Sequence, residues 1–326
     1  MPLAFFVHRI DPIIATIGGV HVWWYGLGYT LGFLNLHLYA MRGRARLQLT
    51  RAQAYRLTLC VSLGVLAGGR AVEVAFDEWP FYREHAALIP AYWLGGMATH
   101  GLLLGATAGA LLFAWWQRVP FLELADDLVV PGAFLMGVGR LGNFVDGQIV
   151  GRATDVWWGV QFPDAAGARH PVVLYDGLKN LALIPYLRRV RATNPTPGAA
   201  AARFVFWYAS LRIAIDLFRD YPTHRLALGT GQTLNILMAA LGAALLYRSR
   251  LRRLGRLGAR PVRPAPPADV PPSWAARLAL AALLVACLTI PSNWTQDVPA
   301  RYGARHPGLT HSRIYPAIDT APRPAR

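Results

Sequence analysis

Arg70, Glu73, His100, Arg140, Lys179, Arg212 and Asp216 stand inside otherwise apolar stretches of this chain. A charged side chain in such surroundings is costly unless it is paired or faces a wet cavity, so each marks either chemistry or a built-in ion pair. The stretch GVGRLGNFVDGQIVGRAT, residues 137–154, places Arg140, Asn143 and Asp146 at every third position. On a helix the three share a face, and the neighbouring glycines let a ligand or another chain approach the backbone. Arg212 and Asp216 are spaced i and i+4 in WYASLRIAIDLFRD, with Arg219 one turn further on. Guanidinium forks bind a buried phosphodiester in bidentate fashion, so convergence of Arg140, Arg212 and Arg70 suggests an anionic lipid headgroup. His100, in GGMATHGLLLG, is either a satisfied core histidine or a general base, since a neutral imidazole accepts a proton near neutral pH. Arg70 with Glu73, and Asp176 with Lys179, can each neutralise themselves across one turn, and the second pair reads as structural.

The elements that must position these residues are long apolar runs. With 54% hydrophobic and 15% charged residues among 326, the chain reads as an all-α, polytopic membrane protein. Runs of about 20 residues, enough to cross a bilayer core, fall at residues 20–41, 55–76, 94–117, 124–143, 172–187, 203–218, 228–247 and 274–290. Arginines follow every odd-numbered run, at Arg42–Arg51, Arg118, Arg188–Arg191 and Arg248–Arg263. Basic loops stay in the cytoplasm, which puts the N-terminus and the ends bearing Arg140 and Asn143 outside. The N-terminal stretch lacks a basic region before its apolar part and is expected to be retained, lying along the membrane interface. The expected organisation is a membrane-embedded domain over residues 1–250, a basic and proline-rich cytoplasmic linker over 251–273, an extra transmembrane helix over 274–290 and a flexible exterior tail over 291–326.

Several function classes drop out. The net charge of +16 is spread between apolar runs rather than gathered on one soluble face, which argues against nucleic acid as a partner. Cys60 and Cys287 both lie inside apolar runs and read as buried free thiols. Gly137, Gly139 and Gly142 match G-x-G-x-x-G, but without the strand and soluble βαβ unit that a dinucleotide site requires. No metal-binding spacing and no serine nucleophile elbow is present, so neither a metal nor another cofactor is expected.

Read in order, WWYGLGY around Tyr25, GGR at residues 68–70, GGMATHG around His100, GRLGNFVDGQIVG, RHPVVLYD at 169–176, WYASLRIAIDLFR around Arg212 and LALGTGQTLNI resemble the prolipoprotein diacylglyceryl transferases, bacterial inner-membrane enzymes. The likeness covers roughly residues 5–250. The resemblance implies a seven-helix transferase core with a small periplasmic head, here with an eighth transmembrane helix, and a multi-pass enzyme whose site faces the periplasmic leaflet. It implies transfer of a diacylglyceryl group from phosphatidylglycerol to the lipobox cysteine of prolipoproteins, with release of glycerol phosphate. Carried over position by position, it makes His100, Arg140 and Arg212 catalytic. It adds Tyr25, Arg70, Asn143, Asp146, Gly151, Tyr208, Asp216 and Arg219 as substrate-binding positions.

The chain also departs from the pattern it resembles. The signature usually runs GNFINGE, whereas Asp146 and Gln148 replace its second asparagine and its glutamate. Leu102 replaces a glycine after the histidine, which would crowd that turn, and Leu94, Glu73 and Ala209 replace an aspartate, a tyrosine and a glycine. The head is shorter. These departures keep a second reading open, a non-catalytic lipid-binding scaffold of the same fold. A transporter of anionic lipids or solutes is a third, for which the sequence offers no internal repeat.

Overall fold

The computed structural model describes residues 5–194, 196–220, 230–254 and 268–318. Its long helices are α1 (Trp24–Leu47), α2 (Arg51–Val72), α3 (Thr99–Gln117), α4 (Phe121–Val145), α5 (Val172–Thr193), α6 (Ala199–Asp216), α7 (Thr230–Arg253) and α8 (Trp274–Cys287). A helix therefore stands at each apolar run, and the fold is mostly helical. Among the described residues two helices are long and apolar enough to cross a membrane, Arg51–Asp77 and Phe121–Val145, and Trp274–Cys287 is a shorter apolar helix. In α1, α5 and α7 basic last turns, and in α5 the buried Asp176, Lys179 and Asn180, dilute the apolar character.

A few short strands accompany the helices, at the N-terminus and after α4. Strands β1 (Phe6–Val7), β2 (Ile13–Ile17), β3 (Val20–Trp23), β4 (Val160–Gln161) and β5 (Ala168–Arg169) form a β2–β3 hairpin and a small sheet in the order β1–β4–β5. Gly18 and Gly19 both take positive φ, 57° and 81°, the conformation a two-residue hairpin turn demands. The run at 20–41 thus begins as a strand, with His21 and Trp23 pointing inward, and turns helical at Trp24. The N-terminal stretch is paired β-structure from residue 6 onward.

Helix ends are closed by named side chains. Thr50 and Gln53 form a capping box at the start of α2. Asp126 of α4 accepts from the backbone N–H groups of Gly198, Ala200 and Ala201 at 2.7–2.8 Å, capping α6 from outside it. Beside it, buried Asp127 pairs with Arg46 at the end of α1 and, at 2.9 Å, with Arg191 at the end of α5. The starts of α4 and α6 therefore meet the ends of α1 and α5, and adjacent helices run in alternating directions. At the opposite pole, the starts of α3 and α5 meet the ends of α4 and α6.

Helices α2 and α3 approach through glycines. A Cβ on Gly64, Gly68, Gly101 or Gly105 would collide with backbone of the facing helix, the close approach that small residues four apart permit. Gly69 adds room of another kind, because a Cβ there would lie 2.5 Å from Leu102 Cδ2. The bulk of Leu102 is thus taken up against Gly69 instead of crowding its own turn.

The expectation of a flexible tail over 291–326 is overturned as far as the structure is described, to residue 318. Trp294, Val298, Tyr302, Leu309, Tyr315 and Ile318 pack with Ile13, Trp23, Ala91 and Leu94 in a second hydrophobic core. Its aromatic and aliphatic side chains bury against the hairpin and the 91–94 turn, which offsets the ordering entropy that proline and arginine content suggested would dominate. Most of the expected 251–273 linker, residues 255–267, lies outside the described residues. Where it re-enters, Asp269 pairs with Arg51 at 2.9 Å.

Two glycine substitutions test the helix contact. Gly105→Val should lower stability by about 1–3 kcal/mol through overpacking. Gly132→Ala in α4, where nothing lies within 4 Å of the added carbon, should be neutral or slightly stabilising. Thermal unfolding of the detergent-solubilised protein measures both.

Candidate active site

The polar pole of the bundle is assembled around one carboxylate. Asp176, 1% exposed near the start of α5, receives Arg140 Nε at 2.7 Å and Arg212 Nη1 at 2.6 Å on Oδ2, and Lys179 Nζ at 3.1 Å on Oδ1. Two arginines distant in sequence, from the end of α4 and from α6, thereby share one oxygen. Asp176 and Lys179 do neutralise each other across one turn, and the same carboxylate also joins the two guanidiniums. Lys179 sits 3.8 Å above the Tyr208 ring, which forms the floor of the cluster.

Arg140 extends the network in two further directions. Its Nη1 donates to Asn143 Oδ1 at 3.1 Å, as the shared helical face predicts, and its Nη2 donates to the Thr99 hydroxyl at 2.8 Å. Thr99 begins α3 and precedes His100, so the same guanidinium ties the histidine's helix to the site. The half-buried His100 ring interacts with the side chain of Asn235 and lies within the electrostatic reach of Arg212 and Arg140. Asn235 in turn donates to Asp216 Oδ2 at 3.2 Å. Asp216 pairs with Arg212 Nε at 3.3 Å and with Arg219 at 3.7 Å. Arg140, Arg212, Lys179 and Arg219 outnumber Asp176 and Asp216, so the cluster carries excess positive charge.

His100, Arg140, Asn143, Tyr208, Arg212, Asp216 and Arg219 are brought together. Gly151 lies at the edge, bridged to Arg219, and a Cβ there would meet the carbonyl oxygens of His170 at 2.5 Å and Phe218 at 2.8 Å. Tyr25 packs its backbone and ring against Gly142, and its hydroxyl is 3.2 Å from that of Tyr29. Arg70 stands apart. Its fork donates to the carbonyls of Ile89 at 3.0 Å, Gly95 at 2.5 Å and Leu88 at 2.9 Å and stacks on Tyr82, so it pins the loop before His100 rather than joining the other arginines. Glu73 lies within electrostatic reach of Arg70, while its carboxylate accepts from Asn293 Nδ2 at 3.4 Å.

Asp146 also turns away from the arginines. It is fully buried, and its Oδ2 accepts from the backbone N–H of Ser292 at 3.2 Å, while Oδ1 has no hydrogen-bond partner among the described residues. Burial pushes its carboxyl up to about 7, against the opposing pull of the Ser292 N–H, Arg305 and Arg301. Burial therefore favours the neutral form of this carboxyl relative to a solvated aspartate.

Thr99, Asn235 and Ser292 join the network without having been singled out in the sequence. Asn235 had a usable signal, a strongly polar side chain within an apolar run. Thr99 had none, because a hydroxyl in such a run usually satisfies itself on its own helix, and Ser292 had none, because it stands in a polar segment beyond the last run.

The model of the prolipoprotein diacylglyceryl transferase family matches residues 12–248. The chain belongs to this family. A phosphatidylglycerol–prolipoprotein diacylglyceryl transferase of Geobacter sulfurreducens is 33% identical over 256 residues, covering 76% of this chain and 98% of the relative. Another, of Nitrosomonas europaea, is 35% identical over 252 residues, covering 73% and 90%. The diacylglyceryl transferase match thus takes in the whole Asp176 cluster and stops before α8 and the folded segment that follows it.

Two outcomes are expected at this site. Asp176→Asn leaves Arg140, Arg212 and Lys179 facing one another without their shared counter-ion and should cost about 3–5 kcal/mol, read by thermal unfolding. For Asp146, the folded state holds its proton more tightly than the unfolded chain, where the ordinary value is 3.8. Stability contributed by that proton is full below 3.8, falls as pH rises, and levels off above about 7. Asp146→Asn stays neutral throughout, so its melting temperature relative to the parent should climb between pH 4 and pH 7 and then remain constant.

Proposed function

We propose that this chain is a phosphatidylglycerol–prolipoprotein diacylglyceryl transferase, an enzyme of lipoprotein biosynthesis. The observation that carries the reading is the Asp176 clamp, which holds Arg140 and Arg212 on one oxygen beside the helix that starts with Thr99 and His100. A guanidinium has five N–H donors. Asp176, Asn143 and Thr99 engage three of those on Arg140, and the remainder suit a phosphodiester oxygen.

In the proposed reaction His100 takes the proton of the acceptor cysteine, since the thiolate and not the thiol is the nucleophile. The sulfur attacks the glycerol carbon that carries the phosphodiester of phosphatidylglycerol. A C–S bond forms, the C–O bond breaks, and its electron pair leaves on the oxygen of glycerol phosphate. Arg140 and Arg212 stabilise the charge that builds on that leaving group, the task for which cations fixed in advance in a dry site are most effective. Asp216 and Arg219 orient Arg212, Asn143 orients Arg140, and Tyr208 and Tyr25 shape the walls. Arg70, Gly151 and Asp146 act one step removed, by holding the loops that carry the others.

The same reading sets the protein in the bacterial inner membrane as a multi-pass chain. Its substrates are phosphatidylglycerol in the bilayer and lipobox peptides. The arginine-bearing pole around Asp127 faces the cytoplasm. The Asp176 pole then opens to the periplasmic leaflet, with α1–α7 as transferase core, α8 as an additional span and the strands and C-terminal core as the periplasmic head.

Purified protein incubated with phosphatidylglycerol and a lipobox peptide should yield a diacylglyceryl thioether detectable by mass spectrometry. His100→Ala should reduce kcat by about 10²–10⁴-fold and Arg140→Ala by about 10²–10³-fold. Lipid binding without thioether would instead identify a scaffold.

A further inference from the structure

The segment after α8 lies beyond the family-matched residues 12–248 and threads between the two loops that frame the site. On one side Gly96 N–H donates to Ser292 O at 2.9 Å, and Gly95 bridges to Asn293, four to five residues before His100. A Cβ on Gly95 would collide with the Pro291 carbonyl, so the two strands of chain touch with no spare room. On the other side Ser292 meets the signature directly. Its hydroxyl accepts from Asn143 Nδ2 at 3.1 Å and donates to Gln148 Oε1, and its N–H donates to Asp146 Oδ2 at 3.2 Å. One buried serine therefore contacts Asn143 and both positions at which this signature departs from its usual form.

The surrounding contacts match the departures. Gln148 Nε2 faces Gln296 Oε1 at 3.4 Å, and Arg301 donates to the same oxygen at 2.7 Å and to Gly147 O at 3.1 Å. A glutamate at 148 would turn a carboxylate oxygen toward the Gln296 carbonyl oxygen, acceptor against acceptor. Arg305 donates to the carbonyls of Ile10, Val145 and Asp146 at 3.1–3.3 Å, holding the end of α4 to the N-terminal loop. On the far side, Asn293 Nδ2 donates to Glu78 Oε1 at 2.9 Å and Thr295 Oγ1 to the same carboxylate at 2.6 Å. The extension is thus anchored at both flanks, and Ser292, near its start, touches both of them.

We propose that Ser292 is a positioning residue for the transfer reaction: it fixes the Asn143 amide, which fixes Arg140, with Asp146 and Gln148 serving as its sockets. The inference rests on the transferase reading above. A serine hydroxyl rotates freely unless its proton is engaged. Donation to Gln148 leaves its lone pairs for Asn143 Nδ2, which directs Asn143 Oδ1 to Arg140 Nη1 at 3.1 Å. The altered signature and the extra segment form one unit, and neither is a sign of lost function.

The test uses the full chain, phosphatidylglycerol vesicles and a lipobox peptide, with kcat taken per folded enzyme. Ser292→Ala should lower kcat about tenfold, the effect of removing one buried hydrogen bond that holds a reacting cation in place. Ser292→Thr, which keeps the hydroxyl, should recover most of it. In an Asn143→Ala background Ser292→Ala should cause no further loss, because the two act through one chain of bonds. A general structural role would lower the folded fraction and leave the kcat effects multiplicative. If Ser292→Ala does not fold, Ser292→Cys retains the volume with only a weak hydrogen-bonding group and should show the same fall. Unchanged kcat in the folded variants, or full additivity with Asn143→Ala, overturns the proposal while the transferase reading stands. Absence of thioether product from the parent protein overturns both.

Discussion

The geometry of this protein's polar pole depends on the burial of one carboxylate. Asp176 is 1% exposed and shared by two guanidiniums and an ammonium, so its position dictates where Arg140, Arg212 and Lys179 can lie. Arginines buried without a counter-ion would repel one another and pay the full cost of desolvation. With it, they are held close together before any substrate arrives. An anionic ligand entering such a site meets oriented donors, and the reorganisation that water would require has already been done during folding.

That carboxylate can do its work only because helix ends are gathered at one pole. The starts of α3 and α5 and the ends of α4 and α6 each contribute a polar residue there, while Asp126 and Asp127 perform the complementary task at the other pole. Glycine contacts between α2 and α3 set how closely the His100 helix approaches, and Gly142 lets the end of α4 pass over Tyr25. Backbone proximity, alternating helix direction and paired charge are therefore three expressions of one packing arrangement. A change at Gly105 reaches the site through helix position, and a change at Asp176 reaches it through charge.

Much of this was legible in the residues. Apolar runs located the helices, because burial of a side chain in either lipid or protein asks for the same composition. The three-residue spacing of Arg140, Asn143 and Asp146 holds for the first two, which are hydrogen-bonded, while Asp146 turns to Ser292, and Arg212 and Asp216, four apart, form an ion pair. The partners of those pairs were less visible, because Asp176 lies on a different helix and i,i+3 spacing explains it equally well with Lys179 alone. Arg70 illustrates the converse. Nothing in GGRAVEV separates an arginine that receives a ligand from one that caps three carbonyls of a later loop, since both need the same fork of donors. The tail was misread for a related reason. Its proline and arginine content is typical of segments that cannot bury enough apolar surface, yet Trp294, Tyr302 and Tyr315 recur far enough apart to fill one core with Trp23.

The departures at 146 and 148 acquire a physical explanation from the same segment. Replacing asparagine by aspartate in a buried position would ordinarily add a charge that nothing nearby neutralises. Here burial raises the carboxyl to about 7, the Ser292 N–H supplies a hydrogen bond, and Arg301 and Arg305 lie close enough to favour the ionised form when it appears. Replacing glutamate by glutamine removes a charge from the adjacent position and creates the acceptor that the Ser292 hydroxyl uses. Each substitution alone would leave a buried polar group badly matched, an arrangement costing on the order of 1–3 kcal/mol. Together with the inserted segment they form a network that binds the loop before His100 to the signature after Arg140. The contacts of the signature are thus completed across the C-terminal segment, by residues nearly 150 positions away in sequence.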